Sequence, residues 1–555
     1  MLLNFCDDII LGNHKSNDMR YNFILIITLY FSLVGASAQS WPLVPLPAEI
    51  KQGTGSFILK PDTKIVLKTD SVEVRKACDF FLGLVNPSTG LNIGYASSSA
   101  FPIVVELDSL IDHPEGYQLK VTSKDISIKA QTPAGIFYAF QTLRQLLPPV
   151  IESHTEVVNR TWLIPAVEIN DAPRFPHRGL MLDVVRHFFP VEVIKRYIDL
   201  MALHKFNYLH LHLTDDQGWR IEIPGYHKLQ TISAWRKETM IGHLNDEPRL
   251  YDGIRHGGFY TQVELKELVE YAVDRHITII PEIEMPGHAT ALLAAYPELA
   301  CSGSYFEVAR DWGIFPNLLC PREDTFLFLE RILHEVMNIF PGKYIHIGGD
   351  ECPKEQWKKS EFCKNLKIQN GLQTDDQLQT WFMRRIARYV QSRGRQVIGW
   401  DELLDGGDIA DATIMSWRGE EGVVAAVRKG NNVIMTPYNY CYFDYYQWSN
   451  RDKEPLAQGG YLPLSKVYMY DPVPKELTDD QKQYILGAQG NLWTEYITDL
   501  RQIEYMAYPR ACALSEVVWT PVHQKSFNQF LNRWREHSKR LEMLNVNFAR
   551  HHIGR

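Results

Sequence analysis

The chain has 555 residues, of which 45% are hydrophobic and 22% charged, and its formal net charge is −8. This length exceeds that of one ordinary domain, so two or three domains are expected. Because the charge is negative and no basic stripe is present, the sequence gives no basis for nucleic acid binding.

Residues 1–38 are predicted to be a leader that contains a signal peptide. The stretch "MRYNFILIITLYFSLVGASAQS", which begins at Met19, has a basic start, an apolar run and a small-residue cleavage site. Translation is expected to begin at Met19, and cleavage is expected after Ala38. The apolar run is short for a membrane span and nothing downstream approaches one, so export to the periplasm or beyond is predicted, without a membrane span.

The cysteines beyond the leader are odd in number, so they cannot all pair with one another. In an exported chain, Cys301 with Cys320, or Cys352 with Cys363, are candidate disulfides, and spacing does not choose between them. The sequence has no CxxC pair and no histidine-rich cluster to suggest zinc. Neither a metal nor a cofactor is predicted.

Residues 39–170 are predicted to form a small α+β domain. In "GYQLKVTSKDISIKA" two alternating apolar runs flank a polar turn, which predicts a hairpin with one buried face. The stretch "AGIFYAFQTLRQLL" follows it with apolar residues at helical spacing, which predicts a helix.

Residues 171–520 alternate between strand and helix patterns, which is typical of parallel β/α units. Thr261 and Glu264 form a capping box at the start of one of these helices. Eight candidate strands occupy residues 177–184, 207–215, 277–285, 344–351, 396–402, 412–418, 432–439 and 485–493. This number of units predicts a (β/α)8 TIM barrel with long loops, followed by a helical tail over residues 521–555.

The catalytic residues of a TIM barrel lie at the carboxyl ends of its strands, so the residues that close each run are the candidates. Strand parity places His210, His212 and His346 inside the barrel, where such a polar lining predicts a wet pocket. Neighbouring carboxylates, rather than a metal, are expected to satisfy these rings. The candidates at the strand ends are Asp215, Asp216, Glu284, His288, Asp350, Glu351, Trp400, Asp401, Glu402, Trp417, Tyr442, Asp444, Trp493 and Glu495.

Two of these candidates, Asp350 and Glu351, are adjacent in "YIHIGGDECPKEQW", and the pair Asp401 and Glu402 is their main competitor. Carboxylates together with tryptophans suggest glycoside hydrolysis. A retaining pair flanks the anomeric carbon at about 5 to 5.5 Å, whereas neighbours on one strand end approach it from one side. A 2-acetamido group that attacks its own anomeric carbon resolves this difficulty, because the second carboxylate then serves the amide.

The motifs "RGLMLDVVRHFFP", "HLHLTDDQGWRIEI", "PEIEMPGH", "IHIGGDE", "GWDE", "MSWRG", "YCYFDYY" and "GAQGNLWTEY" resemble the β-N-acetylhexosaminidases of glycoside hydrolase family 20. The resemblance covers about residues 45 to 520. It implies an exo-acting, retaining enzyme that removes terminal β-linked GlcNAc or GalNAc from a glycan through an oxazolinium-type intermediate, without a cofactor.

The resemblance also implies individual roles. Glu351 matches the general acid/base and is expected to carry a proton, while Asp350 matches the residue that orients the acetamido group and is expected to be ionised. Tyr442 matches the tyrosine that binds the acetamido oxygen, and Asp215 with His288 matches the pair that supports the acid. The positions that match sugar-binding residues are Arg186, Trp400, Trp417, Asp444, Trp493 and Glu495.

One position departs from the family pattern, because Glu284 stands where the family has aspartate. Two alternatives stay open. One is an enzyme of the same family that releases lacto-N-biose or 6-sulfo-GlcNAc. The other is a glycan-binding protein on a decayed scaffold, although none of its acid, amide-orienting or sugar-binding positions is broken.

Overall fold

A computed structural model describes residues 41–552 of the chain. The predicted leader lies outside the described residues. Within residues 41–552, no helix combines the length and the apolar character needed to cross a membrane.

The amino-terminal part contains a seven-stranded mixed sheet with the strand order β1-β7-β5-β6-β4-β2-β3. The predicted hairpin is present, because β5 and β6 pair antiparallel with Tyr117 opposite Ala130. Helices α1 (Val72–Thr89) and α2 (Pro133–Leu146) contact each other, and the rings of Phe81 and Phe140 stack 4.8 Å apart. The strands are β1 Glu49–Ile58, β2 Thr63–Leu67, β3 Gly94–Tyr95, β4 Phe101–Leu107, β5 Tyr117–Val121, β6 Ile126–Ala130 and β7 Leu163–Asp171.

Eight parallel strands, β8 to β15, close a barrel in chain order. Each of the eight predicted segments contains one of them, but every strand ends before the predicted run does. At β11 the cause is visible: Gly348 and Gly349 have φ angles of 65° and 104°, which turn the chain out of the sheet. The barrel strands are β8 His177–Asp183, β9 Tyr208–His212, β10 Thr278–Glu282, β11 Tyr344–His346, β12 Gln396–Trp400, β13 Thr413–Ser416, β14 Val433–Met435 and β15 Ile485–Gly490.

Helices surround the barrel, and the capping box of Thr261 and Glu264 begins the helix Gln262–Val273 as predicted. The alternation is incomplete, because β12 and β13 are joined only by a 3-10 turn at Asp401–Leu404. The carboxy-terminal tail is helical, as predicted. The numbered helices are α3 Val191–Leu203, α4 Gln262–Val273, α5 Glu323–Ile339, α6 Asp375–Ser392, α7 Glu420–Arg428, α8 Leu500–Ala507, α9 Arg510–Trp519 and α10 Phe527–Met543; further helices are Thr290–Ala295, Glu355–Lys359, Glu361–Gln369, Tyr438–Cys441, Leu464–Met469 and Asp479–Lys482.

The mixed sheet is joined to the barrel by buried ion pairs. Arg178 Nη2 lies 2.7 Å from Glu115 Oε1, and Lys205 Nζ lies 3.0 Å from Asp171 Oδ2. Breaking one such pair leaves an uncompensated buried charge, which costs about 3–5 kcal/mol. These pairs therefore fix the first two barrel strands near their amino-terminal ends, away from their carboxyl ends.

The barrel interior is polar, as strand parity predicts, but the expectation that these residues line a wet pocket is wrong. His210, His212 and His346 are at most 1% exposed, and so is Glu282, which they surround. One carboxylate contacts all three rings, so this layer packs around Glu282 and does not line an open cavity. The layer forms the floor beneath a cavity at the carboxyl ends of the barrel strands.

Candidate active site

A cavity of about 300 Å³ opens at the carboxyl ends of the barrel strands. Two predicted site residues, Asp215 and His288, do not line it and lie buried beneath Asp350 and Glu351. The strand-end candidates Asp216, Glu284, Asp401 and Glu402 do not line it either. The other residues with a role implied by the family resemblance line it together: Arg186, Asp350, Glu351, Trp400, Trp417, Tyr442, Asp444, Trp493 and Glu495.

The turn after β11 places the adjacent carboxylates differently. After the two glycines, Glu351 has a φ of 45°, a left-handed conformation that is uncommon for a residue other than glycine. The side chain of Glu351 is 34% exposed, whereas that of Asp350 is 14% exposed. Glu351 therefore faces the open part of the cavity, and Asp350 belongs to its wall.

Asp350 has few partners. Its Oδ1 has no hydrogen-bond partner among the described residues. Burial, and to a lesser degree the Glu351 carboxylate, raise the pKa of Asp350 to about 6, against the opposing influence of His288. The expected ionised state of Asp350 therefore holds only at pH values above about 6.

His288 lies between two pairs of carboxylates. Its Nδ1 is 3.1 Å from Asp215 Oδ1 and 3.0 Å from Asp216 Oδ2, and its Nε2 is 3.6 Å from Asp350 Oδ2 and 3.5 Å from Glu351 Oε2. Although burial opposes the charged ring, Asp215 and Asp350 raise the pKa of His288 well above its usual value. A protonated imidazole therefore supports the adjacent pair from below.

Arg186 connects this support to the cavity. Its Nη2 lies 2.8 Å from Asp215 Oδ2, and its Nε donates to Gln217 Oε1 over 3.1 Å. The guanidinium also lies over the ring of Trp493, 5.0 Å from its centroid. Burial disfavours the anion, but Arg186 and His288 hold the pKa of Asp215 well below its usual value.

The tryptophans and Tyr442 form an aromatic box. Trp493 is 6.0 Å from Trp400 and 6.3 Å from Tyr442 between ring centroids, and Trp417 stacks on Tyr442 at 6.3 Å. Two of the indoles are fixed by carboxylates: Trp400 donates to Glu282 over 2.8 Å and Trp417 donates to Glu402 over 3.0 Å. Such a box is suited to enclosing a methyl group or a sugar face.

The competing acidic pair does not line the cavity. Asp401 accepts from Ser416 Oγ over 3.2 Å and from Arg418 Nε over 3.0 Å. Glu402 accepts the indole N–H of Trp417. These two carboxylates therefore hold cavity walls in place and do not face a substrate.

Carboxyl groups also line another part of the cavity. Asp444 Oδ1 has no hydrogen-bond partner among the described residues. Burial and the neighbouring Glu495 raise the pKa of Asp444 well above its usual value, and burial raises the pKa of Glu495 although Arg186 opposes it. Among the described residues that line the cavity, Arg186 is the only Lys or Arg. These groups are suited to neutral hydroxyls.

Glu284, the departure from the family pattern, does not line the cavity. Both of its carboxyl oxygens are buried without a hydrogen-bond partner among the described residues. Burial and the charge of Asp350 raise the pKa of Glu284 well above its usual value. A neutral carboxyl there is compatible with its place beside the cavity floor.

Sequence reasoning missed part of the cavity wall. The missed residues are Leu244, Trp312, Gly313, Ile314, Tyr445, Gln458 and Tyr496. Tyr445 and Tyr496 lie within the motifs "YCYFDYY" and "GAQGNLWTEY", which could have marked them, whereas the others lie outside every motif quoted above. The loop that carries Trp312 is closed by the disulfide Cys301–Cys320, whereas the other candidate pair, Cys352 and Cys363, is reduced. Glu282 was also missed, although strand parity applied to β10 would have placed it inside the barrel.

Comparisons with known proteins identify the family to which this chain belongs. The family model "Glycosyl hydrolase family 20, catalytic domain" matches residues 175–522, and "Glycosyl hydrolase family 20, domain 2" matches residues 40–172. A beta-hexosaminidase of Porphyromonas gingivalis is 42% identical over 511 residues, which cover 91% of this chain and 64% of that protein's own length.

Solved structures are similar over nearly the whole chain. The GH20 beta-N-acetylhexosaminidase of Streptomyces coelicolor A3(2) is 30% identical with a TM-score of 0.81, covering 92% of this chain and 98% of that one. A mutant Streptomyces plicatus beta-hexosaminidase in complex with its product GlcNAc is 31% identical with a TM-score of 0.80, covering 92% and 97%.

Proposed function

Because this chain belongs to glycosyl hydrolase family 20, we propose that it is a glycoside hydrolase of the β-N-acetylhexosaminidase type, which removes single terminal residues from glycans. The residue removed is a β-linked GlcNAc or GalNAc at the non-reducing end, and its configuration is retained. The observation that carries this proposal is the placement of adjacent Asp350 and Glu351 on one side of a cavity walled by the aromatic box. The GlcNAc bound in the Streptomyces plicatus relative supports it.

Glu351 serves the leaving group. In the first step the acetamido carbonyl oxygen forms a bond to the anomeric carbon while the bond from that carbon to the leaving oxygen breaks, and Glu351 donates its proton to the leaving oxygen. In the second step water attacks the anomeric carbon and gives a proton back to Glu351, and the acetamido group is restored. The exposed position of Glu351 suits both steps, since the leaving group and the water use the open part of the cavity.

Asp350 and Tyr442 serve the acetamido group. The amide nitrogen gains positive charge as its carbonyl oxygen attacks, and the free Oδ1 of Asp350 is available to accept its N–H. The phenol of Tyr442 donates to the amide oxygen, and the box of Trp400, Trp417 and Trp493 encloses the methyl group. The amide is thereby held in an attacking position, which contributes by proximity.

Exo-action follows from the cavity residues that match the sugar-binding residues of the family. Arg186 donates to the hydroxyls of a terminal sugar, and Asp444 and Glu495 accept from them. Release of lacto-N-biose stays the second candidate of the same family, to be distinguished by substrate.

The test is a panel of aryl glycosides of β-GlcNAc, β-GalNAc, lacto-N-biose and 6-sulfo-GlcNAc, together with digests of chitooligosaccharides. We expect turnover of the two monosaccharide glycosides, monomer released from the non-reducing end, and a first product with the β-configuration by NMR. Replacing the acetamido methyl with CF3 should slow turnover steeply, because the carbonyl oxygen becomes a poorer nucleophile. Internal fragments early in the digest, an α-product, or unchanged rates with the CF3 substrate would contradict the proposal.

We also propose that the protein is exported to the periplasm or beyond, on the basis of the leader from Met19 to Ala38. Mass spectrometry of the mature protein should find an amino terminus directly after Ala38. Cytosolic protein with Met1 or Met19 intact would contradict export.

A further inference from the structure

Glu282, the last residue of β10, is a fully buried carboxylate with four side-chain contacts. Its Oε1 accepts the indole N–H of Trp400 over 2.8 Å and lies 2.8 Å from His346 Nδ1. Its Oε2 accepts from Nδ1 of His212 and lies 3.1 Å from His210 Nε2. None of its atoms lines the cavity, so any effect of Glu282 on a substrate passes through these neighbours.

One of these contacts begins a continuous path to the general acid. His212 Nε2 lies 3.0 Å from Asp215 Oδ2, and Asp215 Oδ1 lies 3.1 Å from His288 Nδ1. His288 Nε2 lies 3.5 Å from Glu351 Oε2. Three side chains therefore connect Glu282 to the carboxyl that handles the proton.

The path alternates in charge. Both ring nitrogens of His212 face carboxylates, and so do both ring nitrogens of His288. A carboxylate accepts hydrogen bonds and does not donate them, so both nitrogens of His212 carry protons. At His288, Nδ1 carries a proton toward Asp215 and Asp216, whereas Nε2 faces Asp350 and Glu351 without a hydrogen bond. The surrounding carboxylates favour the charged form of this ring as well, because they raise its pKa well above the usual value. In agreement, Glu282 and Asp215 raise the pKa of His212 to about 10 although burial opposes the charge.

The hydrogen bond from Trp400 connects Glu282 to the aromatic box, which is proposed to enclose the acetamido group. Trp400 is 1% exposed, lines the cavity and packs 6.0 Å from Trp493 between ring centroids. The hydrogen bond to Glu282 fixes the rotation of the indole about its side-chain bonds. One carboxylate therefore holds both the support of the acid and one wall of the aromatic box.

We propose that Glu282 is a positioning residue of the hexosaminidase reaction: it places the Glu351 carboxyl through His212, Asp215 and His288, and it places the acetamido wall through Trp400. The inference rests on the proposed function of the cavity. It assigns Glu282 a part in both halves of the reaction, proton donation to the leaving group and enclosure of the attacking amide.

The principal test is Glu282→Gln, which keeps the size of the side chain. The amide presents an NH2 group to one of two donors, so the bonds from Trp400 and His212 cannot both survive. We expect kcat on chitobiose to fall by up to about 100-fold, the cost of a displacement near 1 Å. The fall should be smaller for a 4-nitrophenyl glycoside, whose leaving group needs little protonation.

The matched control is Glu516→Gln. Glu516 is also a fully buried carboxylate, which accepts from Tyr468 Oη over 2.8 Å and contacts Arg533, but it lies in α9 outside the barrel. This variant should lose stability but keep the wild-type ratio of kcat on chitobiose to kcat on the 4-nitrophenyl glycoside. A second variant, Trp400→Phe, removes the indole N–H and should raise KM for both substrates without changing that ratio.

A spectroscopic readout separates positioning from a purely structural role. In protein labelled with 15N-histidine, ring NMR at pH 8 should show His212 and His288 doubly protonated in the wild type, and His212 neutral in Glu282→Gln. If that variant does not fold, Glu282→Asp withdraws the carboxylate by one methylene and is expected to change the kcat ratio in the same direction.

Two outcomes would overturn the proposal: neutral rings at both histidines in the wild type, or a folded Glu282→Gln variant with the wild-type kcat ratio. Failure of the proposed function would look different. Wild-type protein that cleaves none of the N-acetylhexosaminides would remove the reaction itself, while the ring NMR would still report the charged path.

Discussion

Glu351 and Asp350 are adjacent in the chain, yet the side chain of Glu351 is 34% exposed and that of Asp350 only 14%. The two glycines before them and the left-handed backbone of Glu351 produce this division. The more exposed carboxyl can reach a leaving group, and the more buried one can face an amide that is held in the wall.

The first prediction concerns the pH profile of kcat/KM, which reports the free enzyme. Burial raises the pKa of Asp350 to about 6, so this carboxyl takes up a proton as the pH falls through 6 and can no longer stabilise a cationic amide. We expect kcat/KM to decline below about pH 6. The residual activity of Asp350→Asn should lack this decline. If kcat/KM of the variant still declines below about pH 6, a group other than Asp350 causes the decline.

The second prediction concerns Asp350→Asn in activity and stability. A lost electrostatic contact to a developing charge should lower kcat by about 10²- to 10³-fold. The folded-state pKa of Asp350 lies above its ordinary value of 3.8, so between about pH 4 and 6 the unfolded chain binds fewer protons. The contribution of this group to stability is therefore lost as the pH rises through that window.

Asp350→Asn should accordingly unfold at a higher temperature than the wild type at pH 8, and this advantage should shrink toward pH 4. Thermal unfolding of both proteins at the two pH values measures it. If the variant unfolds at the same or a lower temperature than the wild type at pH 8, the buried carboxylate of Asp350 does not destabilise the folded protein.

The third prediction is that Glu351→Gln separates substrates by leaving group. Without a proton to donate, the variant should lose more activity on chitobiose than on an aryl glycoside with a good leaving group, because general acid catalysis contributes about 10²- to 10⁴-fold. Rates for a series of aryl leaving groups measure this. A uniform loss across the series would instead indicate damaged binding.

The fourth prediction concerns Glu402, which holds the indole of Trp417. Glu402→Ala removes this acceptor, so Trp417 should gain freedom in the aromatic box, and KM for an aryl β-GlcNAc should rise several-fold, corresponding to about 1 kcal/mol for a lost hydrogen bond. Asp405→Ala is the control, because Asp405 pairs with Arg418 at the protein surface and does not line the cavity. Equal KM values for the two variants would show that Glu402 does not hold the box.

The fifth prediction concerns the disulfide Cys301–Cys320, which closes a loop with a sequence separation of 19 residues. Loop-closure entropy predicts that replacing both cysteines with serine lowers the free energy of unfolding by about 3 kcal/mol. Because the loop carries Trp312 and Ile314 into the cavity wall, KM should rise as well.

The thiol of Cys363 lies 3.4 Å from Cys301 Sγ, so these measurements belong in a Cys363→Ser background that prevents a new pairing. Denaturant unfolding and KM are compared with Cys363→Ser alone. Unchanged KM in the double replacement would show that the loop keeps its place without the disulfide.

The repeating part of the fold was predictable because its physics is local. Alternating apolar residues define strands, the Thr261–Glu264 capping box defines the start of a helix, and eight such units in order define a barrel. Strand parity also placed His210 and His346 inside. What parity could not show was whether water reaches them, since that depends on Glu282, which is distant in sequence and becomes their neighbour only when the barrel closes.

By itself the sequence determined the barrel, the pair Asp350 and Glu351, and the aromatic residues at the strand ends, because each is encoded in a short stretch of chain. Only the tertiary structure decided that Asp401 and Glu402 hold walls, that Cys301 pairs with Cys320, and which loops complete the cavity. The physical reason is that partner choice, burial and protonation depend on groups brought together from far along the chain. The different exposures of Asp350 and Glu351 need both: the left-handed turn separates the two side chains, and the closed barrel places different groups around each of them.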